Sequence, residues 1–582
     1  MTAEEKYKVW LEQVPGDSDL AQELQGIEND CEEISSRFHG DLTFGTAGLR
    51  GIMGVGTDRM NIYTVRRAAR AYGQYLKAAP LPDTCAIAYD TRNNSELFAK
   101  TCAVALAEEG IQVYLFPEPV PTPMLSFAVR DLKTGGGVVM TASHNPAAYN
   151  GMKCYGSDGC QQTDEPAAEV YARMQELPML SEPATDYGTQ LELGNIQLLD
   201  QSIFTRYYET VLRESLCEGL IPVSGVKVLY TPLHGTGLKP VTAILDQLGV
   251  DYDLVESQTT PDGNFPTCPY PNPETEAAFS EATAIIQKQK TRYDLILATD
   301  PDSDRMAAAV PQYDGDGKLL ALRRFSGNEL GCMMLEFILN NRLRQNNLPK
   351  HPKCIKSIVT TPMVRAIGDQ YGCETVDVLT GFKYIGSTIL ELEQQGRAEE
   401  AVFAFEESCG FLKGSYVRDK DAQVACMLIC ELAAACKLEG MDLAEKMDRL
   451  YRRYGYFQTR VLSVELDGET GKALCGAFID KLRQTPPRTV AALPVNQIAD
   501  YQLGYAVDCD QGVKTELHFP KSNVLSYQIG GCGQVILRPS GTEPKLKLYF
   551  FASAETEQQA EAILDGLVGD FRQQLRDFGI SC

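Results

Sequence analysis

Short apolar runs alternate with helix-like segments along most of the chain, and this alternation constrains the fold more than any other feature. Cys85–Tyr89 has the composition of a buried strand, and a helical pattern then runs from about Ser95 to Gly110. This order of elements predicts parallel sheets with crossover helices. The order recurs after three further strand-like runs, at Val226–Tyr230, Ile355–Val359 and Val402–Phe405.

The pattern changes after about residue 455, where Gly533–Leu537 and Lys547–Phe551 predict two strands and a closing helix begins near Thr556. A chain of 582 residues holds about four domains by length. We therefore predict an α/β protein with three doubly wound α/β domains of similar topology and a C-terminal α+β domain. The predicted domains are 1–205, 206–320, 321–450 and 451–582, and the predicted linkers are the polar stretches Leu177–Gly194, Asp314–Leu322 and Gly440–Tyr456.

The chain carries 54 basic and 78 acidic residues, which gives a formal net charge of −24. This charge disfavours nucleic acid and anionic membranes as partners, and no apolar stretch reaches the roughly 18 residues that a membrane span needs. The 18 cysteines show no paired C-x-x-C zinc pattern, and Met1–Trp10 has no features of a signal sequence. We therefore expect a soluble cytoplasmic protein with reduced thiols, without nucleic-acid or membrane partners.

A hydroxyl group is the first candidate for a catalytic role. Ser143 lies in the turn Thr141–Pro146, directly after the apolar run Val138–Met140. A strand that ends in such a turn delivers its serine to the carboxyl edge of a sheet, where open α/β folds bind their ligands. Taken alone, a serine in this position is more often a helix cap or a turn former. Ser143 is therefore a candidate nucleophile whose role depends on what the other loops supply.

Three carboxylates at alternate positions follow a second apolar run, in which Leu295–Ala298 leads into Asp300, Asp302 and Asp304. Alternate side chains of an extended loop point the same way, and three clustered like charges are costly without a cation among them. An EF-hand is excluded because other residues fill its glycine and glutamate positions. A solvated turn is the alternative, but the motif directly follows a buried-looking strand. We predict a site for a hard divalent cation at the three aspartates.

A third loop has the composition of an anion-binding site. Arg538 supplies a planar guanidinium, and Ser540 and Thr542 supply hydroxyl groups. Gly541 allows backbone N–H groups to approach a ligand closely. The same residues would also suit a tight hairpin turn that binds nothing. Because the other loops point to a phosphate ligand, phosphate binding is the favoured interpretation.

Further polar residues follow the strand-like run Val402–Phe405. Glu406 and Ser408 combine a carboxylate with a hydroxyl, which is suitable for hydrogen bonds to vicinal sugar hydroxyls, although a solvated acidic turn is the alternative. Lys153 and Lys420 lie in two other loops, and each is placed to serve in proton transfer or phosphate contact. An isolated lysine is by default a solvated surface residue, and this is the alternative for both.

Taken together, these motifs resemble those of the α-D-phosphohexomutase superfamily, and the match covers nearly the whole chain. The metal motif departs from the family's common DGDGDR form but keeps all three aspartates and the arginine. The overall length and the specificity motif resemble the phosphoglucomutase-2-like branch. Six motifs carry the resemblance in the family's order: the amino-terminal signature Phe44–Gly51, the phosphoserine loop Thr141–Pro146, the metal loop Asp300–Arg305, the specificity loop Gly381–Gly386, the sugar-binding loop Phe405–Gly410 and the phosphate-binding loop Arg538–Lys545.

The resemblance implies four domains arranged around a central cleft, each contributing one loop. It implies that Ser143 is carried as phosphoserine, and that one Mg²⁺ is held by a phosphoserine oxygen together with Asp300, Asp302 and Asp304. The implied catalytic residues are Ser143, Arg50, His144, Lys153, Arg305 and Lys420. The implied substrate-binding residues are Thr46, Gly381, Lys383, Glu406, Ser408, Arg538, Ser540, Gly541, Thr542 and Lys547.

The implied enzyme is a phosphosugar mutase, a monomer or weak dimer that interconverts glucose 1-phosphate and glucose 6-phosphate, with glucose 1,6-bisphosphate as intermediate and activator. Phosphomannomutase or phosphopentomutase activity is the alternative, and the general base is open between Lys153 and Lys420. A phosphatase-like hydrolase would need histidine-rich metal sites, but the chain has five histidines. A non-catalytic sugar-phosphate binder would need neither Ser143 nor the three aspartates.

Overall fold

The computed structural model describes residues 1–16, 18–44, 48–289, 291–466, 468–539 and 545–580. These residues form two compact units. The first unit combines Met1–Ile355 with Gly381–Leu443, and the second combines Lys356–Thr380 with the chain from Ala444 onward. The division falls inside the predicted domain 321–450, and the four predicted domain bounds remain predictions.

The first unit contains a six-stranded sheet with a parallel centre, as the alternation of elements predicts. Thr84–Tyr89 pairs in parallel with Gly136–Met140, which is buried along its whole length. The chain then returns antiparallel in Tyr149–Gly156, so Ser143 lies in a hairpin-like connection at the carboxyl edge of the parallel strands. In spatial order the strands are Gly48–Ile52, Tyr149–Gly156, Gly136–Met140, Thr84–Tyr89, Gln112–Leu115 and Ile196–Leu198. The helices of this region are Ile62–Ala78, Ser95–Glu108, Thr122–Leu132, Asp164–Glu176 and Tyr187–Glu192.

A second sheet in the same unit repeats this plan. Lys227–Thr231 pairs in parallel with Leu295–Thr299, and the chain then returns antiparallel in Met306–Tyr313, so the three aspartates also lie between a parallel and an antiparallel strand. In spatial order the strands are Leu319–Arg324, Met306–Tyr313, Leu295–Thr299, Lys227–Thr231 and Asp251–Leu254. The helices are Gln201–Leu212, Leu220–Ser224, Leu238–Leu248 and Ser280–Lys288, with 3₁₀ turns at Glu256–Gln258 and Ala277–Phe279.

All three predicted linkers contain ordered elements. Leu177–Gly194 includes the helix Tyr187–Glu192. The prediction for Asp314–Leu322 was wrong, because this stretch forms a hairpin turn and part of the edge strand Leu319–Arg324, none of whose residues is buried. The prediction for Gly440–Tyr456 was also wrong, because it contains the helix Leu443–Tyr454, whose many charged residues resemble a linker in composition.

The first unit also contains elements outside the two sheets. At the amino terminus, three helices pack around Trp10, whose ring contacts Phe38 and Tyr63 edge-on. Their bounds are Ala3–Gln13, Asp19–Gly26 and Cys31–Phe38. The later elements are the helices Gly327–Arg344, Phe382–Gln394 and Ala422–Leu438, the 3₁₀ turn Ala398–Glu400, and the antiparallel strands Ala401–Glu406 and Gly410–Leu412.

The second unit holds an antiparallel sheet, as predicted for the C-terminal α+β domain. In spatial order its strands are Tyr456–Glu465, Lys545–Ala554, Gly533–Pro539, Leu525–Ile529, Leu493–Asp500, Tyr505–Asp508 and Lys514–Glu516, with Thr489–Val490 paired to Leu493–Asp500. The helices are Met363–Tyr371, Gly468–Gln484 and Glu557–Asp577, and the last is capped by Thr556, as predicted. The remaining strands are Glu374–Val378 and Lys353–Ser357, within which the chain leaves the first unit.

The cysteines and helices of the described chain are compatible with the expectations from composition. Every cysteine within the described ranges is a free thiol, and most of them are buried. Among the helices that the structure describes, none combines the length and the apolar character that a bilayer crossing requires.

Candidate active site

Ser143 lies at the carboxyl end of the strand Gly136–Met140, in the serine loop (residues 141–148). Its backbone is left-handed, with φ 53°, which is uncommon for a residue with a side chain and suggests a functional constraint. The Ser143 amide donates to the Thr141 hydroxyl at 2.8 Å. The Ser143 hydroxyl donates to Asp300 Oδ2 at 2.9 Å and lies 3.1 Å from His144 Nδ1. The candidate nucleophile therefore meets the first predicted metal ligand, 157 residues away in sequence.

The three aspartates of the metal loop (Asp300–Arg305) converge, as their alternate spacing predicts. One carboxylate oxygen from each of Asp300, Asp302 and Asp304 lies within 4.8 Å of the other two. All three residues are at most 1% exposed. Repulsion among such buried charges is weakly screened, so compensating positive charge is required.

Two lysines supply part of that positive charge. Lys153 Nζ lies 3.0 Å from Asp302 Oδ2 and 3.7 Å from Asp304 Oδ2. Lys420 Nζ lies 3.0 Å from Asp304 Oδ2 and 3.0 Å from Asp419 Oδ1. Both lysines that the sequence marked as candidates therefore lie at the metal loop rather than on a solvated surface.

Arg305 adds a third cation at the end of the metal loop. Its backbone amide donates to Asp300 Oδ1 at 3.1 Å, and its guanidinium lies 3.3 Å from Glu274 Oε1 and 3.8 Å from Asp304 Oδ1. Burial would lower the pKa of Arg305, but attraction from Asp304 and Glu274 raises it above its ordinary value. Arg305 is thus a permanent positive charge beside the aspartates.

Burial and repulsion change the acidity of the three carboxyl groups. Burial, with repulsion from Asp302 and Asp304, raises the pKa of Asp300 well above its usual range. Burial and the charge of Asp302 likewise raise the pKa of Asp304. Burial would also raise the pKa of Asp302, but attraction from Lys153 and a hydrogen bond with it bring this pKa below its ordinary value. Burial and mutual repulsion therefore oppose ionisation of Asp300 and Asp304, and a bound cation would favour the ionised form of all three carboxylates.

The remaining carboxylate oxygens fit a divalent cation. Asp302 Oδ1 and Asp304 Oδ1 are buried and accept no hydrogen bond from any residue that the structure describes, whereas Asp304 Oδ2 faces the ammonium groups of Lys420 and Lys153. Buried oxygens without donors are costly, and a cluster of carboxylate oxygens is the set of ligands that hard cations such as Mg²⁺ prefer. Asp300, Asp302 and Asp304 could therefore hold a metal ion next to Ser143.

Glu406 joins two of the loops predicted to bind sugar. It ends the strand Ala401–Glu406, is largely buried, and accepts a hydrogen bond from the Gly381 amide at 2.8 Å. Burial would lower the pKa of Lys420, but attraction from three carboxylates, one of them Glu406, raises it above its ordinary value. Glu406 is thus within electrostatic reach of the metal loop, while Ser408 beyond it is partly exposed.

Lys383 is engaged by a carboxylate of the protein. Its Nζ lies 2.5 Å from Asp164 Oδ1, and the Tyr384 hydroxyl donates to Asp164 Oδ2 at 3.0 Å. Asp164 lies in the first turn of the helix Asp164–Glu176, so its contacts join this helix to the specificity loop. A substrate that bound Lys383 would have to compete with, or extend, this ion pair.

His144 belongs to the serine loop, and the charge of Arg50 acts on it. Arg50 is exposed on the strand Gly48–Ile52, opposite Gly151 of the neighbouring strand. Burial, with the positive charges of Arg305 and Arg50, lowers the pKa of His144 well below its ordinary value. The imidazole beside the Ser143 hydroxyl is therefore neutral at neutral pH, and its Nδ1–H can donate to the hydroxyl oxygen while the hydroxyl proton goes to Asp300.

The predicted phosphate-binding loop is described only in part. Arg538, near the end of the strand Gly533–Pro539, is the cross-strand partner of Lys547. Cross-strand partners project from the same face of a sheet, so two cationic residues lie side by side within the second unit. Three residues predicted in this loop, and one in the amino-terminal signature, lie outside the described residues: Ser540, Gly541, Thr542 and Thr46.

Two buried residues at the metal loop carried no sequence signal of their own. The Thr122 hydroxyl donates to Asp302 Oδ2 at 2.9 Å, and the Thr122 amide donates to the Asp302 carbonyl at 2.9 Å. The Tyr155 hydroxyl donates to Asp419 Oδ2 at 2.6 Å and so orients the carboxylate that pairs with Lys420. Both contacts join residues that are distant in sequence, so composition and periodicity could not reveal them.

Arg92 is a third residue that the sequence interpretation left without a role. It donates hydrogen bonds to main-chain carbonyls of the serine loop, including that of Ser143 at 2.5 Å. Arg92 comes shortly after the strand Thr84–Tyr89, which is parallel to the strand that precedes Ser143. Its position at the same sheet edge is the signal that could have identified it.

Comparisons with known proteins cover the same segments of the chain. Models of the phosphoglucomutase/phosphomannomutase family match its alpha/beta/alpha domains I, II and III at residues 41–179, 205–315 and 326–454, and its C-terminal domain at residues 515–566. The phosphoglucomutase of Staphylococcus aureus strain USA300 is 36% identical over 549 residues, which is 93% of this chain and 94% of that protein.

Two solved structures share the fold at lower identity. A phosphoglucomutase/phosphomannomutase family protein of Burkholderia thailandensis superimposes with a TM-score of 0.67 and 18% identity, covering 93% of this chain and 98% of that one. The phosphoglucomutase pp63/parafusin of Paramecium, in its open form, gives a TM-score of 0.66 and 16% identity, covering 93% and 95%. These likenesses extend over the whole architecture rather than one segment.

Proposed function

Because the chain belongs to the phosphoglucomutase/phosphomannomutase family, we propose that it interconverts glucose 1-phosphate and glucose 6-phosphate. Membership of this family makes it a phosphohexomutase, an enzyme of the phosphotransferase or isomerase kind. The observation that carries the proposal is the 2.9 Å hydrogen bond from the Ser143 hydroxyl to Asp300, within a cluster of three carboxylates. The relative named phosphoglucomutase supports glucose as the sugar.

The proposed reaction begins with a phosphoryl group on Ser143. This group passes to the free hydroxyl of a hexose monophosphate, so the bond from phosphorus to the serine oxygen breaks as the bond to the sugar oxygen forms. The resulting glucose 1,6-bisphosphate turns over in the site, and its other phosphoryl group returns to Ser143. No net phosphate is consumed, and the serine ends as it began.

Phosphoryl transfer depends on in-line positioning and on neutralisation of charge, and the first unit offers residues for both. Asp300, Asp302 and Asp304, with a phosphoserine oxygen, would hold one Mg²⁺, which when bound neutralises charge on the transferring group. Lys153 and Lys420 add positive charge around the reacting oxygens. To take the proton of the attacking hydroxyl, one of these two lysines would first give up a proton and act as a neutral amine, while the other keeps its positive charge.

Other residues would bind the substrate on both sides of the reacting group. Glu406 and Ser408 would hydrogen-bond to sugar hydroxyls that are shared by both orientations of the bisphosphate, since a carboxylate and a hydroxyl suit such contacts. The phosphate that does not react would be bound by a cationic set that resembles the family's phosphate loop: Arg538, Ser540, Gly541, Thr542 and Lys547. The remaining substrate contacts are proposed for Thr46, Arg50, Gly381 and Lys383.

The test is a Ser143→Ala variant assayed for interconversion of the two glucose phosphates with Mg²⁺ and catalytic glucose 1,6-bisphosphate. We expect no measurable turnover and no phosphate on the protein by intact mass spectrometry, with an unchanged melting temperature. The matched control is Ser202→Ala, which removes an exposed serine hydroxyl. Turnover near the wild-type rate in Ser143→Ala would exclude Ser143 as the phosphoryl carrier. Mannose 1-phosphate and ribose 1-phosphate, assayed alongside, would show whether glucose is the preferred sugar.

A further inference from the structure

Arg92 fixes the backbone of the serine loop through four hydrogen bonds. Its side chain is fully buried. Nη2 donates to the carbonyls of Ser143, at 2.5 Å, and Asn145, while Nη1 donates to those of Pro146, at 3.0 Å, and Tyr149, at 3.1 Å. A planar guanidinium can reach four carbonyls with fixed geometry, whereas a lysine ammonium is a compact charge with three donors. Arg92 therefore constrains the whole loop from Ser143 to the next strand.

Arg92 is in turn held by its own surroundings. Asp90 Oδ1 accepts hydrogen bonds from the Arg92 amide at 2.9 Å and from the Ser95 hydroxyl at 2.7 Å, and Asp90 Oδ2 lies 3.4 Å from Arg92 Nε. Asn150 Nδ2 donates to the Ser95 hydroxyl at 3.0 Å, which links this support to the strand after the serine loop. These contacts hold the Arg92 guanidinium in place independently of its hydrogen bonds to the serine loop.

The proline-rich loop Pro261–Pro273, from the region of the second sheet, packs against Arg92 from another side. The ring of Phe265 lies 5.0 Å from the guanidinium carbon, a distance suited to cation–π attraction. Gly263 is required at its position because a Cβ there would lie 2.3 Å from the Asn93 amide nitrogen. The loop therefore approaches the Arg92–Asn93 backbone as closely as glycine allows.

The same stretch of chain also touches both reacting loops. The ring of Tyr270 packs edge-on to that of His144, next to Ser143, with centroids 5.9 Å apart. Glu274, just after the proline-rich loop, pairs with Arg305 of the metal loop at 3.3 Å. His234 anchors the beginning of the stretch through hydrogen bonds of 3.0 and 2.9 Å to a carbonyl and a threonine hydroxyl. One segment thus contacts the serine loop, its arginine and the metal loop.

We infer that Arg92, supported by Phe265, is the positioning residue that sets the serine loop for in-line phosphoryl transfer. The inference rests on the proposed function only in taking Ser143 as the phosphoryl carrier. Arg92 binds carbonyls and not the Ser143 hydroxyl, so it acts through the backbone of the loop. Without its guanidinium, four carbonyls would each lose a donor, and the left-handed Ser143 would lose one of the contacts that hold its backbone.

The test compares Arg92→Lys with wild-type enzyme. A displacement of about 1 Å in a reacting group costs about 10²-fold in rate, so kcat should fall by about 10²-fold while KM changes by less than about threefold. A phosphoserine in a displaced loop should also lose its phosphate to water more often per mutase turnover. We therefore expect the ratio of phosphate release to sugar interconversion to rise, a change that a lower fraction of folded enzyme would not produce.

Two further variants separate positioning from stability. Arg66→Lys is the matched control, because Arg66 is also a buried arginine of the first-sheet region but is bound to Glu108, Ser181 and Glu182. It should lower the melting temperature and leave kcat and the phosphate-release ratio unchanged. Phe265→Leu keeps Arg92 and removes the aromatic support, and it should lower kcat by up to about tenfold.

The possible outcomes decide between a positioning and a structural role. Wild-type kcat and an unchanged release ratio in Arg92→Lys would overturn the inference, as would equal losses of kcat in Arg92→Lys and Arg66→Lys. If Arg92→Lys does not fold, Phe265→Leu decides, and wild-type kcat in that variant would overturn the inference. None of these results alters the outcome of Ser143→Ala, so failure of the inference is distinct from failure of the proposed function.

Discussion

The serine loop and the metal loop are built on the same plan but are stabilised in opposite ways. Each follows a buried parallel strand, Gly136–Met140 or Leu295–Thr299, and each returns in an antiparallel strand. Each also contains a serine with left-handed backbone, Ser143 with φ 53° and Ser303 with φ 47°. The shared geometry places both loops at a carboxyl edge of a sheet, which is where open α/β folds bind ligands.

The serine loop and the metal loop differ in which groups bind their buried polar atoms. The carbonyls of the serine loop receive their donors from Arg92, so the protein alone fixes this loop. The metal loop keeps carboxylate oxygens on Asp302 and Asp304 that no described residue hydrogen-bonds. The serine loop is therefore preorganised by the chain, whereas the metal loop is completed only by a bound cation.

The largest expected effect is the loss of kcat in Asp304→Asn, and this variant also distinguishes stabilisation by the chain from stabilisation by a cation. Asp304→Asn keeps the shape of the side chain but removes a metal ligand, so kcat should fall by about 10²- to 10³-fold. Metal-free Asp304→Asn should melt no lower than the metal-free wild type, because burial and repulsion from Asp302, which raise the pKa of Asp304, outweigh the attraction of Lys420 and Lys153 for its charge. Melting curves of chelator-treated protein and steady-state kinetics measure the two effects.

Asp316→Asn provides the control for this variant, since it changes an exposed aspartate in the hairpin turn at the far end of the strand Met306–Tyr313, which follows the metal loop. It should leave both kcat and the melting temperature unchanged. A metal-free Asp304→Asn that is clearly less stable than metal-free wild type would show that the metal loop, like the serine loop, is complete without a cation.

The next expected effect is on stability when the metal is supplied. If the metal loop is completed by a cation, Mg²⁺ at about 100 times its dissociation constant should add about 2.7 kcal/mol to the free energy of unfolding of the cooperative unit that holds the site. Chelator-treated wild type should therefore melt at a higher temperature on titration with Mg²⁺, and Asp304→Asn should not. Equal shifts in the two proteins would place the Mg²⁺ elsewhere.

A smaller effect is expected from the second unit, and it tests whether the chemistry is confined to the two loops. Arg538→Ala should raise KM by about 10- to 150-fold, because a charge-assisted hydrogen bond to phosphate is worth about 1.5–3 kcal/mol, and should change kcat much less. Lys521→Ala, an exposed lysine of the same unit, serves as control. An unchanged KM in Arg538→Ala would remove this residue from the phosphate site.

The sequence predicted the parts of the fold that depend on neighbouring residues. Gly136–Met140 and Leu295–Thr299 are continuous apolar runs, so their burial and the loops that follow them could be predicted locally. The alternate spacing of the aspartates likewise predicted that their carboxylates converge. The family resemblance then supplied the expectation that these two loops meet, and the hydrogen bond from Ser143 to Asp300 agrees with it.

The parts that could not be predicted depend on contacts between distant segments. The helix Leu443–Tyr454 was missed because its many charged residues were interpreted as a linker, although Leu443, Met447 and Leu450 recur at helical spacing. The edge strand Leu319–Arg324 was missed because it follows turn residues and none of its residues is buried. Arg92 and Tyr155 gain their roles only when the sheets bring other loops to them. A side chain that binds a carbonyl or a carboxylate in a distant segment produces no periodic pattern in the sequence.

The smallest expected effect concerns Thr122, whose hydroxyl donates to Asp302 at 2.9 Å, across 180 residues of sequence. Thr122→Val keeps the shape of the side chain and removes this donor, which at about 0.5–1.5 kcal/mol should lower kcat by about two- to tenfold. Thr122→Ser restores the hydroxyl and should recover most of the rate. Because the Thr122 amide also binds the Asp302 carbonyl, the backbone of the metal loop should stay in place in both variants. If the valine variant keeps the wild-type rate and the serine variant is slow, packing of the threonine methyl group, and not its hydrogen bond, holds the carboxylate, and the metal loop would then be organised by the chain to the same degree as the serine loop.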